Sequence, residues 1–307
     1  MLHKKVRGQY YTTNNPFSHP AFAVWANEAR LKDRTILEPF AGSNSLIHHL
    51  QSIDLCKSFR SFDIEPANSS VEYRDTLVDF PTGYDVCVTN PPWLARNIAT
   101  YKKIHFPKSI YSNLYQIAIE NCLRYCNWTA ALVPESFIRA NIFRERLVSF
   151  VSITRCLFVD TGHPVGMALF APVKVPDTEI WTGNQRVGML SELEATYPVP
   201  DPKGPAVSLN EPDGNVGLIA LDNTVGASIR FCPVEELSDY EVKPTGRHIT
   251  KLQVDGSIRI CAWNDFLNKF RKNTQDVLMT CYKGIRKDGH YRRRLDWQLA
   301  RGIIHNA

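Results

Sequence analysis

Asn90-Pro91-Pro92-Trp93 is the segment of this 307-residue chain whose residue types and spacing point most directly to chemistry. Two consecutive prolines fix the backbone φ angles and remove two N–H donors, leaving their carbonyls free. The result is a stiff corner that holds an amide side chain and a backbone carbonyl beside an indole face. That set suits a planar heterocycle carrying an exocyclic NH2 group. The Asn90 side-chain oxygen and the Pro91 carbonyl can each accept one amino hydrogen, while Trp93 stacks on the ring. Accepting both hydrogens keeps the nitrogen lone pair out of conjugation and makes it a better nucleophile. A turn with a packed tryptophan is the plain alternative. The strand-like run at 84–89, leading straight into the corner, favours the chemical reading.

Other short segments must position this corner. Residues 35–38, 59–64, 85–89 and 129–133 are apolar, strand-like runs, and 45–51 and 111–125 carry apolar residues at helical spacing. Residues 156–160 and 167–172 flank a Gly-His-Pro-Val-Gly turn and predict a hairpin. Strands alternating with helices imply a parallel α/β sheet, with the hairpin adding an antiparallel strand. In such sheets ligands bind beyond the carboxyl ends of the strands. Three unusual segments, 38–44, 63–66 and 90–93, all fall there. After about residue 174 the texture changes, because prolines crowd 172–212 and exclude long helices. Strands are expected near 218–220 and 227–231 and a helix over 263–270. The domains expected are therefore 1–174 and 175–307, the second of α+β class.

Composition narrows the classes further. With 44% hydrophobic and 11% aromatic residues the chain can bury a core, which excludes global disorder. No apolar run approaches the roughly 18 residues of a membrane helix, and the basic start lacks an apolar continuation of the secretory kind. Eight cysteines without a C-x-x-C pair read as reduced, mostly buried thiols of a cytoplasmic protein, with no metal site expected. The formal net charge of +5 is unevenly divided. Residues 1–174 hold 19 basic against 14 acidic side chains, 175–282 hold 10 against 15, and 283–307 hold 7 against 2. A basic tail suits phosphate binding, although short basic runs are commonly only solvated.

In its first ~175 residues the chain resembles the S-adenosylmethionine-dependent N6-adenine DNA methyltransferases of the γ motif order. The resemblance rests on Arg7–Thr12, Leu37-Glu38-Pro39-Phe40-Ala41-Gly42, Asp63-Ile64-Glu65-Pro66, Asp75 and Asn90–Trp93, in that order. It implies a Rossmann-like methyltransferase mixed sheet followed by a target-recognition domain. It also implies S-adenosyl-L-methionine as cofactor. Tyr11 and Thr12 would line its methionine end together with Glu38, Ala41 and Gly42, and Asn90 would lie against it. Asp63, or its neighbour Glu65, would hold the ribose, and Asp75 the adenine amino group. Asn90, Pro91, Pro92 and Trp93 would be catalytic, with His163 placed to sandwich the base opposite Trp93. Two positions depart from the pattern. Asn44 stands where a second glycine is usual, tolerable because asparagine accepts left-handed backbone angles. Thr13 stands where proline is common.

The activity implied is site-specific transfer of a methyl group to the N6 of a flipped adenine in double-stranded DNA. Lys283, Arg286, Lys287, Arg292, Arg293 and Arg294 are the expected nucleic-acid contacts, with Arg247, His248 and Lys251 secondary. A cognate restriction endonuclease is the further partner such an enzyme suggests. The rival readings are RNA adenine-N6, N4-cytosine or protein glutamine methylation, and a non-catalytic nucleic-acid-binding relative.

Overall fold

The computed structural model describes residues 14–154, 157–158 and 162–307. Two compact units result, Met1–Arg186 and Val187–Ala307.

The strands of the first sheet, in chain order, are β1 (Thr35–Glu38), β2 (Ser58–Asp63), β3 (Glu72–Tyr73), β4 (Val86–Thr89), β5 (Trp128–Pro134), β6 (Leu147–Ile153), β7 (Val165–Phe170), β8 (Glu179–Thr182) and β9 (Gln185–Met189). Their order in the sheet is β3-β2-β1-β4-β5-β7-β6-β8-β9. The strands from β3 to β5 in that order run parallel, and β7 lies antiparallel between β5 and β6. This is a Rossmann-like mixed sheet, of the kind that the resemblance implies.

Helices α1 (Pro20–Glu28), α2 (Ser45–Ser52), α3 (Arg96–Tyr101) and α4 (Leu114–Tyr125) complete the unit. Successive strand side chains point to opposite faces. Ile36, Val86 and Val88 accordingly join α1 and α2 in one core, with Phe22, Trp25, Ile47 and Leu50. Leu37 and Cys87 face the other way and meet Cys122 and Cys126 from the α4 side. Both faces are covered, which is why β4 is apolar throughout rather than alternating. The Trp25 indole N–H donates to the Phe170 carbonyl (2.9 Å), tying α1 to β7.

Of the expected hairpin strand 156–160, only residues 157 and 158 are among the described residues; the strand that pairs antiparallel with Val165–Phe170 is Leu147–Ile153. Serines at 149 and 152 obscure its apolar pattern, yet Ser152 is fully buried. The two compact units divide between Arg186 and Val187, beyond the expected boundary at about 174. The proline-rich texture begins earlier because β8 is a short strand that still pairs with β6.

The second unit has helices α5 (Leu190–Ala195), α6 (Ile260–Thr274) and α7 (Trp297–Asn306). Its strands are β10 (Val207–Leu209), β11 (Val216–Ile219), β12 (Arg230–Cys232), β13 (Ile249–Val254), β14 (Thr280–Ile285) and β15 (Tyr291–Arg294). They form an antiparallel sheet of order β10-β13-β11-β12 and a separate β14–β15 hairpin. The α6 residue Asn264 covers the edge of β12 by bonding both the N–H and the carbonyl of Phe231 (2.9 Å each). Among the described residues no helix is long and apolar enough to cross a membrane.

Candidate active site

Because β1, β2 and β4 are parallel, the residues that follow each of them emerge at one edge of the sheet. β1 ends on Glu38, which is 1% exposed. The Thr89 hydroxyl, from the end of β4, donates to Glu38 Oε1 (2.6 Å), and the Phe40 N–H donates to the same oxygen (3.1 Å). No basic side chain pairs with this carboxylate among the described residues. Burial, reinforced by the charge of Asp63 and only partly offset by the two hydrogen bonds, pushes Glu38 up to about 8 from 4.5. A carboxyl so placed favours a positively charged ligand group, which would offset the cost of ionising it.

Glu38→Gln should reveal this. An acid whose folded pKa is raised contributes its full stability below about pH 4.5 and loses it as the pH climbs towards 8. A glutamine in the same place accepts the same two hydrogen bonds and does not titrate. Between pH 5.5 and 8 the variant should therefore gain on the order of 3 kcal/mol relative to wild type in denaturant unfolding. Parallel pH profiles for the two proteins would refute it.

The turn after β1 is built by two left-handed residues, Gly42 (φ 53°) and Asn44 (φ 67°). Asn44 thus supplies the backbone angle that the departure from glycine required. It also adds an anchor, since its fully buried amide accepts from Ser61 Oγ (2.7 Å) and donates to Ser70 Oγ (3.2 Å). Asp63, at the end of β2, ties the turns together. Its Oδ2 accepts from the Gly42 N–H (2.7 Å) and its Oδ1 from the Glu65 N–H (2.8 Å). The Asp63 carboxylate is buried and oriented, whereas Glu65 is exposed. The Ala41 N–H donates to the Phe62 carbonyl (2.9 Å), so neither Ala41 nor Gly42 presents its amide outward. Asp75 is half-buried and accepts from the Leu77 N–H (3.2 Å). Its neighbour Thr76 donates to the Pro39 carbonyl (2.6 Å), fastening this loop beside the β1 turn. Tyr11 and Thr12 lie outside the described residues.

Directly after β4 come Asn90, half-buried, then Pro91, buried, and Pro92 and Trp93, both half-buried. The Trp93 indole N–H donates to the Leu132 carbonyl on β5 (3.3 Å), and its ring meets Phe158 edge-on at 5.4 Å. The indole is therefore held by its edge and by a second ring rather than swinging free. Phe158, in the loop between β6 and β7, was missed from sequence; an aromatic in that loop was the available signal. His163 is half-buried in the turn before β7, and the described ring contact of Trp93 is with Phe158. Thr89 and Thr76, the two hydroxyls that lock Glu38 and the Asp75 loop, were also missed, because nothing local marks them.

An open cleft of about 550 Å³ lies at the opposite edge, lined by Arg34, Thr35, Arg60 and Asp85 among others. Its guanidiniums are paired with Asp85 and Glu72, so it offers no competing chemistry.

The second unit corrects the expected DNA contacts. Arg286 and Arg293 are buried, at 6% and 3% exposure. Asp222, itself inaccessible, receives both arms of the Arg271 guanidinium (2.9 and 2.8 Å) and Arg286 Nη1 (2.6 Å). Arg271 also bonds Asp276 at 2.8 Å. The backbone N–H of Arg293 donates to Asp222 Oδ2, and Arg292 Nε donates to the Asp222 carbonyl while stacking on Tyr282. Burial alone would raise Asp222, but the bonds and charge of Arg271, with the Ser228 amide and Arg286, hold it at about 2. Arg286 and Arg293 are thus buried within the unit rather than presented at its surface. Lys283 and Lys287 remain exposed, and Arg294 is half-buried. Of the secondary candidates, Lys251 donates to the Pro212 carbonyl (3.1 Å), and His248 stacks edge-on with Tyr282.

No protein-family model matches the sequence, and no curated protein does. Solved structures similar to it include a protein described as a class I S-adenosylmethionine-dependent methyltransferase from Listeria monocytogenes, with 14% identity over 57% of this chain and 68% of that one, TM-score 0.37. A type I restriction-modification methyltransferase subunit from Streptococcus thermophilus is 13% identical over 62% and 52%, TM-score 0.41. A protein described as an RNA methyltransferase from Pyrococcus horikoshii is 13% identical over 55% and 90%, TM-score 0.39. This chain spans about half the length of the Streptococcus subunit.

Proposed function

We propose that the chain is an S-adenosylmethionine-dependent methyltransferase acting on the N6 amino group of adenine in double-stranded DNA. One observation carries the reading: a wholly buried carboxyl without a cationic partner ends β1, and the Asn90–Trp93 corner ends the neighbouring β4. When bound, S-adenosylmethionine supplies an electrophilic methyl on a positively charged sulfur. Glu38 fits the cationic methionine end. Asp63, or Glu65 beside it, fits the ribose hydroxyls, and Asp75 the cofactor's adenine amino group. Tyr11 and Thr12 are proposed to close the methionine end.

At the corner, the Asn90 side-chain oxygen and the Pro91 carbonyl accept the two hydrogens of the target amine. That arrangement orients its lone pair, and positioning supplies most of the rate. Pro92 keeps the corner stiff, and the ring of Trp93 stacks on the base. Extruding an adenine from a duplex costs a few kcal/mol, and aromatic stacking returns about 1–3 kcal/mol of it. Phe158 buttresses Trp93, and His163 lies in the same loop. No covalent intermediate is required, so the buried cysteines have no catalytic part. Lys283, Lys287, Arg292 and Arg294 are the remaining candidates for DNA contact in the second unit. A cognate restriction endonuclease is the partner such a methyltransferase would serve, and the cytoplasm its place.

Incubation with tritiated S-adenosylmethionine and duplex DNA, single-stranded DNA or RNA, followed by nucleoside analysis, tests this. Label in N6-methyladenine from duplex DNA is the expected result. Label confined to RNA, to N4-methylcytosine or to protein would overturn the substrate assignment, and no label anywhere the activity.

A further inference from the structure

Between Trp93 and α4 the chain leaves the sheet edge and returns to it as a closed lobe, residues 94–113. Its neck is laced by an antiparallel bridge between Ala95 and Asn113, with Arg96 N–H to the Ser112 carbonyl (2.8 Å) and Leu114 N–H to the Leu94 carbonyl (2.9 Å). Inside it, Leu94 and Ala99 pack with Leu114 and Ile117, and Ile104, Phe106 and Tyr111 pack against them. Arg96, itself exposed, folds back on the lobe: it lies over the Phe106 ring at 4.9 Å and donates to the carbonyls of Ser109 and Tyr111. The lobe is therefore an ordered platform, fixed at one end to the residue after Trp93.

Its outer surface has an unusual composition. No aspartate or glutamate occurs from 86 to 119. Lys102, Lys103 and Lys108 are exposed, and none makes an ion pair with a described residue; His105 is exposed beside them. Among these cations stand large apolar side chains in solvent, Ile110 at 92% and Tyr101 at 86% exposure, with Ile98 one helical turn from Tyr101. A surface that merely keeps a protein soluble mixes both charge signs and avoids such groups. Unpaired cations interleaved with a bare aromatic match a polyanion that also presents planar apolar faces, which describes a nucleic acid.

We infer that the 94–113 lobe is the catalytic unit's own grip on duplex DNA. Lys102, Lys103 and Lys108 neutralise backbone phosphates at the rim of the Asn90 corner, and Tyr101 lies against the base or sugar beside the extruded adenine. This rests on the methyltransferase reading above, and it moves primary contact away from the C-terminal basic run, half of whose arginines are buried. An anionic membrane also accepts lysines with apolar neighbours. DNA is favoured because the lobe is tethered directly to Trp93, so whatever it holds lies beside the base-accepting corner.

The test uses the full chain, a short fluorescein-labelled DNA duplex and fluorescence anisotropy across a salt series. The Lys102→Ala/Lys103→Ala/Lys108→Ala variant should bind the duplex roughly 10- to 100-fold more weakly at low salt. The slope of log affinity against log salt should shrink by about 0.9 for each phosphate that is no longer neutralised. Tyr101→Ala should weaken binding and leave that slope unchanged. Calorimetric affinity for S-adenosylmethionine should stay at the wild-type value in both variants. Unchanged duplex affinity and slope in both, with wild type still methylating DNA, would overturn the lobe assignment alone. So would a loss seen only with RNA, or only with phosphatidylserine vesicles. A wild-type protein that neither binds nor methylates DNA would overturn the methyltransferase reading and this inference with it.

Discussion

Asn90→Ala should lower methyl transfer roughly a thousandfold while leaving S-adenosylmethionine affinity within about tenfold of wild type. The magnitude is that of removing one preorganised hydrogen-bonding group from a reacting centre. Asn90 follows a strand whose four residues are all buried, and the next residue, Pro91, is buried as well. Their packing and the fixed φ angles of two prolines hold the corner. Truncating that side chain therefore removes an acceptor and leaves the scaffold in place. Single-turnover rates at saturating cofactor should fall as far as kcat/KM, because the deleted interaction matures only as the amine attacks. An equal drop in cofactor affinity would show instead that Asn90 is part of the framework.

The second large effect concerns stability. Asp222→Asn should destabilise the second unit by about 3–5 kcal/mol, because it leaves two buried guanidiniums without their shared carboxylate. Arg271 keeps Asp276 at 2.8 Å, but Asp276 lies 3.9 Å from Arg286, too far to replace the 2.6 Å bond that Asp222 provides. The pH dependence has a definite sign. A carboxylate held at about 2 in the folded chain contributes stability present above its usual 3.8, and that stability fades as the pH falls towards 2. Urea unfolding at pH 7 should show the full effect, and the gap between variant and wild type should narrow below pH 4. A difference under about 1 kcal/mol at neutral pH would mean that water reaches the cluster. Arg286→Ala belongs to the same prediction: it should lower stability, whereas Lys287→Ala at the exposed neighbour should not.

Much of the site could be read without coordinates because it is local. A strand followed by Asn-Pro-Pro-Trp dictates its own corner, since proline geometry is set within one residue. Asn44 likewise satisfied a left-handed position because its short polar side chain allows that conformation anywhere. The strand alternation of the first unit followed from runs such as 35–38 and 86–89, which are apolar because helices cover both faces. Ser149 and Ser152 hid β6 for the opposite reason, since the burial of Ser152 depends on strands and loops that only the fold brings together.

What remained for tertiary structure was every property that depends on a partner distant in sequence. Arg286 belongs to a basic run, and nothing near it shows that Asp222, over sixty residues earlier, has withdrawn its charge from solvent. Glu38 is an ordinary acid until β4 brings Thr89 against it and two packed faces remove the water. Conversely, the lysines at 102, 103 and 108 became informative only when the lobe closed and brought no described acid within pairing distance of them. Backbone preferences act over a few residues and can be inferred from composition. Solvation and charge pairing are set by whatever the fold places within a few ångströms, and only the folded chain decides that.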